Sequence, residues 1–311
     1  MQFTVLGSGA GLPSKKSNTQ SYILDVIDEI NQYILIDAGE ALQHQILHTN
    51  IKPSKVKNIF ITHLHGDHIY GLPGFLSSRA HQGGENLPLT IYGPKGLKEW
   101  LTVTFEISGS RLNYPLNIIE VEHNSQIKVE SFNISVYLLE HTIDSYLYVF
   151  TEEDKKGALN TNKLQEIGIK PGPIYADIKN SSVFEYEGIS YNTADFMGPD
   201  IKGRKISVHG DTRIVPDSEY LSLVDNSDLI VHEATYLDNE NEKAHQYFHS
   251  EISDVLNNFR DTRYNHLLLS HLSNRYEEVF LADIEKKLPS NVYLAHDFFQ
   301  LPIPHRSRGN K

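Results

Sequence analysis

The chain has 311 residues, 39% hydrophobic and 22% charged, with a formal net charge of −12 and no cysteine. This is ample length for a core and an ordinary composition for a soluble globular protein, and the acidic balance argues against a protein that coats nucleic acid non-specifically. Disulfides are excluded, any metal site must use nitrogen and oxygen donors, and neither an 18-residue apolar run nor a secretion signal stands at Met1-Gln-Phe-Thr-Val-Leu-Gly7, which fits a cytoplasmic enzyme with no membrane partner.

In chain order, residues 2 to 6 read as a strand. The glycine-rich loop of residues 7 to 13 lacks the spacing of a dinucleotide fold, so it reads as a tight turn. Strands follow at 21 to 26 and 33 to 37, then a helix at 41 to 48. Residues 58 to 61 are a short β-branched run, read as a buried strand. The stretch Gly71-Leu-Pro-Gly74 breaks the chain before a helix reaching Arg79. A strand at 89 to 92, a helix at 97 to 105 and alternating strand segments from 118 to 139 come next. The second half repeats the style, with strands at 205 to 208, 228 to 231, 266 to 269 and 291 to 295. Its helices are expected at 250 to 259 and 277 to 288. Such strand–loop–helix units in two halves predict a single layered α/β sandwich over residues 1–311, with its site at the strand ends.

Residues 152 to 181 stand apart. They carry Gly157, Gly168 and Pro171-Gly172-Pro173 and little apolar periodicity beyond Leu164 and Ile167, which predicts a protruding or disordered insertion. Its lysines, Lys155, Lys156, Lys163, Lys170 and Lys179, suit a phosphate backbone, although charge alone favours a solvated surface loop.

The chemistry concentrates directly after the strand at 58 to 61, where His63, His65, Asp67 and His68 supply four potential ligands around Gly66. His63 and His65 point the same way if extended geometry persists, whereas Asp67 and His68 fall beyond the turn. The spacing therefore favours two adjacent sites. Thr62-His-Leu-His-Gly-Asp-His68 resembles the signature of the metallo-β-lactamase superfamily. Such a loop needs partners, and His141, Asp211 and His271 each stand at the end of a predicted strand. The expected division gives His63, His65 and His141 to one ion and Asp67, His68 and His271 to the other, with Asp211 bridging. Two cations about 3.5–4 Å apart share one nucleophile and clamp both oxygens of a phosphodiester. The donor set suits Zn²⁺, and Mn²⁺ or Fe²⁺ are alternatives.

The sequence further resembles the ribonuclease Z family. The likeness rests on Val231-His-Glu-Ala-Thr-Tyr236 followed by His249-Ser250, and on Gly157-Ala-Leu-Asn160 with Gly168-Ile-Lys-Pro-Gly-Pro-Ile-Tyr175. Ser77-Ser-Arg79, Gly83-Gly84 and Ile91-Tyr-Gly-Pro94 add to it. This resemblance implies an αββα four-layer sandwich in which residues 152–181 form a protruding tRNA-binding arm. It implies a zinc-dependent endoribonuclease that removes the 3′ trailer of precursor tRNA, cutting after the discriminator base. The products would be a tRNA 3′-hydroxyl and a 5′-phosphorylated trailer, with hydroxide held by two Zn²⁺ per subunit attacking phosphorus. Asp67 would orient that nucleophile, and His249, oriented by Glu233, would protonate the leaving oxygen. Arg275, Lys155, Lys156, Lys163, Lys170, Gly172 and Pro173 would contact RNA, and His232 would brace the site. A homodimer that binds no DNA is implied as well. Departures from the family pattern stand at Ser17-Asn18, Ala41-Leu42 and Glu251. Two other readings fit the metal motif: a small-molecule phosphodiesterase or sulfatase, and an RNA-binding homologue that no longer cleaves.

Overall fold

The computed structural model describes residues 1–214, 216–276 and 278–306. Two compact units emerge: Met1–Thr151 with Lys205–Ile303 form one, and Glu152–Arg204 belongs to the other.

The first unit holds two seven-stranded sheets. One runs in the order β18 (Gln300–Pro302), β1 (Gln2–Gly7), β3 (Ser21–Val26), β4 (Gln32–Ile36), β5 (Val56–Phe60), β6 (Leu89–Gly93), β7 (Leu116–Glu120). Its pairings are antiparallel from β18 to β4 and parallel from β4 to β7. The other runs β17 (Val292–Leu294), β15 (Tyr264–Ser270), β14 (Ser227–Glu233), β13 (Lys205–His209), β10 (Ser145–Glu152), β9 (Phe132–Leu139), β8 (Gln126–Val129). From β13 to β17 the pairings are parallel. A short parallel pair, β2 (Gly9–Ala10) with β16 (Leu272–Ser273), joins the first loop of the chain to the last histidine segment.

Alternation along each strand builds the layers, because successive side chains leave opposite faces. Phe3, Tyr22, Leu24, Ile34, Ile36 and Phe60 meet Tyr148, Phe150, Ile206, Val208, Leu229 and Leu268 in a core between the sheets. The intervening Leu6, Ile23, Leu35, Ile59 and Ile61 pack outward against the helices Leu42–Ile46, Leu72–His81 and Leu97–Ser108. On the second sheet Leu147, Ile230, Leu267 and Leu269 do the same against Ser218–Val224 and Ile252–Asn258. The result is an αββα sandwich, the layering that the resemblance implies. Among the described residues no helix is long and apolar enough to cross a membrane.

Two local expectations change. Gly71-Leu-Pro-Gly74 does not break the chain, since Pro73 and Gly74 lie in the first turn of helix Leu72–His81. A proline there gives up no helical hydrogen bond. Gly66 begins a short helix, Gly66–Ile69, where a Cβ would meet the exposed Tyr70 ring at 2.2 Å and push it aside. The helix expected at 277 to 288 is observed at Glu278–Glu285, and position 277 lies outside the described residues.

The second unit extends past the expected limit at 181. Helices Thr161–Glu166 and Ile174–Asn180 are followed by the hairpin β11 (Val183–Tyr186) and β12 (Ile189–Asn192). Leu164, Ile169, Ile178 and Phe196 close a small core of its own, with Phe184, Tyr186 and Tyr191 packed on it. At its base Arg204 donates to Glu152 through Nε at 2.8 Å and Nη2 at 3.1 Å, both side chains buried.

Candidate metal centre

The seven candidate ligands come from the C-terminal ends of strands. His63, His65, Asp67 and His68 follow β5, His141 follows β9, Asp211 follows β13 and His271 follows β15. Parallel strands direct their C-terminal loops to one edge of a sheet, which is how residues far apart in sequence meet. The donor atoms of His63, His65, His141 and Asp211 lie within 4.8 Å of one another, as do those of Asp67, His68, Asp211 and His271. Asp211 belongs to both groups, and Glu233, His249 and His271 form a third beside them.

Hydrogen bonds behind the histidines set which ring nitrogens face inward. Asp37, an acceptor only, takes the Thr62 hydroxyl at 2.8 Å and the His68 Nδ1–H at 2.9 Å. The Thr62 hydroxyl is thereby spent, so the His63 Nδ1–H donates to it at 3.1 Å. The His141 Nδ1–H donates to the Phe248 carbonyl at 2.9 Å. Thr235 gives its hydroxyl proton to Glu233 at 2.9 Å and accepts the His271 Nδ1–H at 2.9 Å. Held neutral by a cation in place of a proton, His63, His68, His141 and His271 would thus all present an Nε2 lone pair to the centre.

Those lone pairs need a cation. The Nε2 atoms of His68 and His271 stand 3.3 Å apart, and His141 Nε2 stands 3.2 Å from His65 Nδ1. Among the described residues, His63 Nε2 and Asp211 Oδ1 are buried with no hydrogen-bond partner. Asp211 Oδ2 is 3.3 Å from His271 Nε2, and Asp67 Oδ2 is 3.1 Å from the same nitrogen. Burial disfavours charge on His68, yet Asp67, Asp211 and Asp37 hold its pKa well above the ordinary histidine value. Burial likewise opposes ionisation of Asp211, but His271, His68 and His63 keep its pKa low. A buried set of carboxylates facing imidazole lone pairs fits a divalent metal site. His271 adopts a left-handed backbone, φ 57°, a strain that commonly marks functional positions.

Beside the centre, Glu233 is buried and accepts hydrogen bonds from Thr235 N–H at 2.8 Å, Ser250 N–H at 3.0 Å and His249 Nδ1 at 3.1 Å. Burial lowers the His249 pKa, but Glu233, with Asp211 and Asp67, overrides it and raises the value to about 9. His232 lies behind the site with its Nδ1–H on the Glu233 carbonyl at 2.7 Å.

The residues expected to contact RNA make the following local contacts. Arg275 pairs with Glu240 at 2.5 Å and lies over the rings of Tyr236 and Tyr276. In the second unit Lys155 pairs with Glu152 at 2.8 Å, Lys156 Nζ donates to the Lys179 carbonyl at 3.3 Å and Lys163 Nζ to the Asp195 carbonyl at 2.8 Å. Lys170, Gly172 and Pro173 are exposed. Of the departures, Ser17 bonds Asn274 at 3.1 Å, Ala41 takes a left-handed φ of 60°, and Glu251 accepts the Glu240 N–H at 2.8 Å.

Sequence reasoning missed Asp37, which orients His68 and, through Thr62, His63, and Thr235, which orients His271. The signal for Asp37 was a lone carboxylate closing the buried run Ile34-Leu-Ile36.

Comparison with known proteins adds a chemical context. A family model described as Anti-Pycsar protein Apyc1 matches residues 1–158. The chain is 45% identical over 294 residues to Ribonuclease Z of Staphylococcus carnosus, covering 93% of this chain and 95% of that one. It is 44% identical over 307 residues to Ribonuclease Z of Macrococcus caseolyticus, covering 97% and 100%. Among solved structures, the short form of human tRNase Z matches with a TM-score of 0.71 and 26% identity over 98% of this chain and 100% of that one. A metallo-β-lactamase fold protein from Bacillus subtilis, 16% identical with a TM-score of 0.66 over 96% of this chain and 98% of that one, shares the fold.

Proposed function

The chain belongs to the ribonuclease Z family, with residues 1–158 inside the family described as Anti-Pycsar protein Apyc1, and from that membership we propose how its own residues carry the reaction. It is a metal-dependent endoribonuclease acting at the 3′ ends of tRNA precursors. The finer reading is cleavage after the discriminator base, leaving a tRNA 3′-hydroxyl and a 5′-phosphorylated trailer.

His63, His65, His141 and Asp211 would hold one divalent cation, and Asp67, His68, His271 and Asp211 a second, with zinc the preferred ion. The observation that carries this reading is the pair of four-residue donor groups that share Asp211. When bound, the cations supply Lewis-acid stabilisation of the phosphoryl oxygens and a water of lowered pKa. Asp67 offers an oxygen that accepts the Gly11 N–H at 2.8 Å, and it orients the nucleophile for in-line attack. His249 carries the proton for the departing 3′-oxygen of the tRNA. Glu233 fixes its ring and stabilises its charged form.

Residues of the second unit supply the contacts to the tRNA body through Lys156, Lys163 and Lys170, in keeping with its lysines and exposed Gly172-Pro173. A cytoplasmic homodimer completes the reading. Incubation of the zinc-loaded chain with a 3′-extended pre-tRNA, with both product ends mapped and metal content measured, tests it. Cleavage elsewhere, or full activity without metal, overturns it.

A further inference from the structure

We propose that Asp297 is a positioning residue of the reaction, holding the loop of residues 8 to 18 so that the Gly11 N–H fixes Asp67. Asp297 lies beyond β17, far from the histidine loop in sequence, and serves as a hub for one surface loop. Its Oδ1 accepts the Ser8 N–H at 3.1 Å and the Ser8 hydroxyl at 2.9 Å. Its Oδ2 accepts the Asn18 N–H at 2.8 Å, Asn18 Nδ2 at 3.3 Å and Gln45 Nε2 at 2.8 Å. Both ends of the loop therefore hang on one carboxylate.

The middle of the loop has a second anchor. Asn274 accepts the Ser17 hydroxyl at 3.1 Å and donates to the Leu12 carbonyl, while Gly9 and Ala10 pair with Leu272 and Ser273. Between the anchors Gly11 takes a left-handed φ of 73°, and its N–H points to Asp67 Oδ2 at 2.8 Å. That oxygen also lies 3.1 Å from His271 Nε2. A hydrogen bond from a fixed backbone amide decides which way the Asp67 lone pairs face, the outer-shell role that tunes ligating carboxylates.

The carboxylate chemistry is specific. Among the described residues five donors and no acceptor converge on the Asp297 carboxylate, so an amide of the same shape would turn its own NH₂ toward one group of donors. The inference rests on reading Asp67 as a ligand that orients the nucleophile.

The test compares the full chain with D297N and N274A, using bis(p-nitrophenyl) phosphate with zinc and amide hydrogen exchange at Gly11 in the metal-free protein. In D297N kcat falls about tenfold, with KM and bound zinc unchanged, and Gly11 exchange accelerates about tenfold or more. N274A, which leaves Asp297 in place, gives the same signature at smaller size and guards against D297N failing to fold. Unchanged kcat and Gly11 exchange in a folded variant overturn the proposal. So does a change in KM for pre-tRNA alone, or a kcat loss that tracks lost zinc. Failure of the parent chain to hydrolyse the diester would count against the nuclease reading, whereas the Gly11 exchange comparison judges the loop anchor separately.

Discussion

His249 Nδ1 lies 3.1 Å from Glu233 Oε1, and the same carboxylate takes the backbone N–H groups of Thr235 and Ser250. Glu233 therefore cannot swing away without stranding two buried donors. His249 is held on a fixed support at the margin of the metal cluster, its pKa raised to about 9.

Replacing His249 by alanine should lower kcat on pre-tRNA by roughly 10²–10⁴-fold. Bis(p-nitrophenyl) phosphate releases p-nitrophenolate, which leaves without a proton, so its turnover should fall by less than about tenfold. Parallel kinetics on the two substrates, with zinc content measured, check this; equal losses would assign His249 to the metal cluster.

Asp211 reaches both donor groups, with 3.6 Å to His63 Nε2 and 3.3 Å to His271 Nε2. Asp211→Ala should therefore drop bound metal from about two equivalents toward zero. His65→Ala touches only one group and should leave about one equivalent. Elemental analysis of purified protein distinguishes them, and a D211A chain that keeps both ions refutes the bridging role.

Thr151 pairs with Lys205 across β10 and β13, so residues 153 to 203 can be replaced by a short Gly-Asn turn. The shortened chain should lose roughly 10²–10⁴-fold in kcat/KM on pre-tRNA, the scale of one lost binding module. Turnover of the small diester should stay within about threefold, since no candidate ligand lies in the deleted span. Loss of both activities would make the segment part of the core.

Glu152 gives a pH prediction. Burial raises its pKa, but Arg204 and Lys155 overcome that and lower it to about 2. Because the folded value lies below the unfolded one, the pair stabilises fully above about pH 4.5 and loses that contribution as pH falls toward 2. Proteolytic protection of residues 152 to 204 should decline through this window. Glu152→Gln should remove the dependence and cost about 3–5 kcal/mol at neutral pH, because it takes the carboxylate out of the buried Arg204–Glu152 pair.

Some of the centre was legible because it is local. His63, His65, Asp67 and His68 share one loop after one strand, so spacing alone groups them. The layers were legible too, since Phe3, Tyr22 and Ile34 alternate with Leu6, Ile23 and Leu35 at the strand period. The full extent of the second unit was not. The hairpin of β11 and β12 is short and largely exposed, and Phe196 enters its core from beyond the expected boundary.

By itself the sequence determined which groups can bind metal and that a layered α/β sandwich would form, because ligand chemistry and side-chain period are properties of single residues and near neighbours. Only the tertiary structure decided how each histidine is turned. Asp37 and Thr235 select the ring nitrogen that faces inward, and Asp297 and Asn274 carry Gly11 to Asp67. Those bonds join residues up to hundreds of positions apart. Hydrogen-bond direction depends on where the donor arrives, and no periodicity along the chain encodes it.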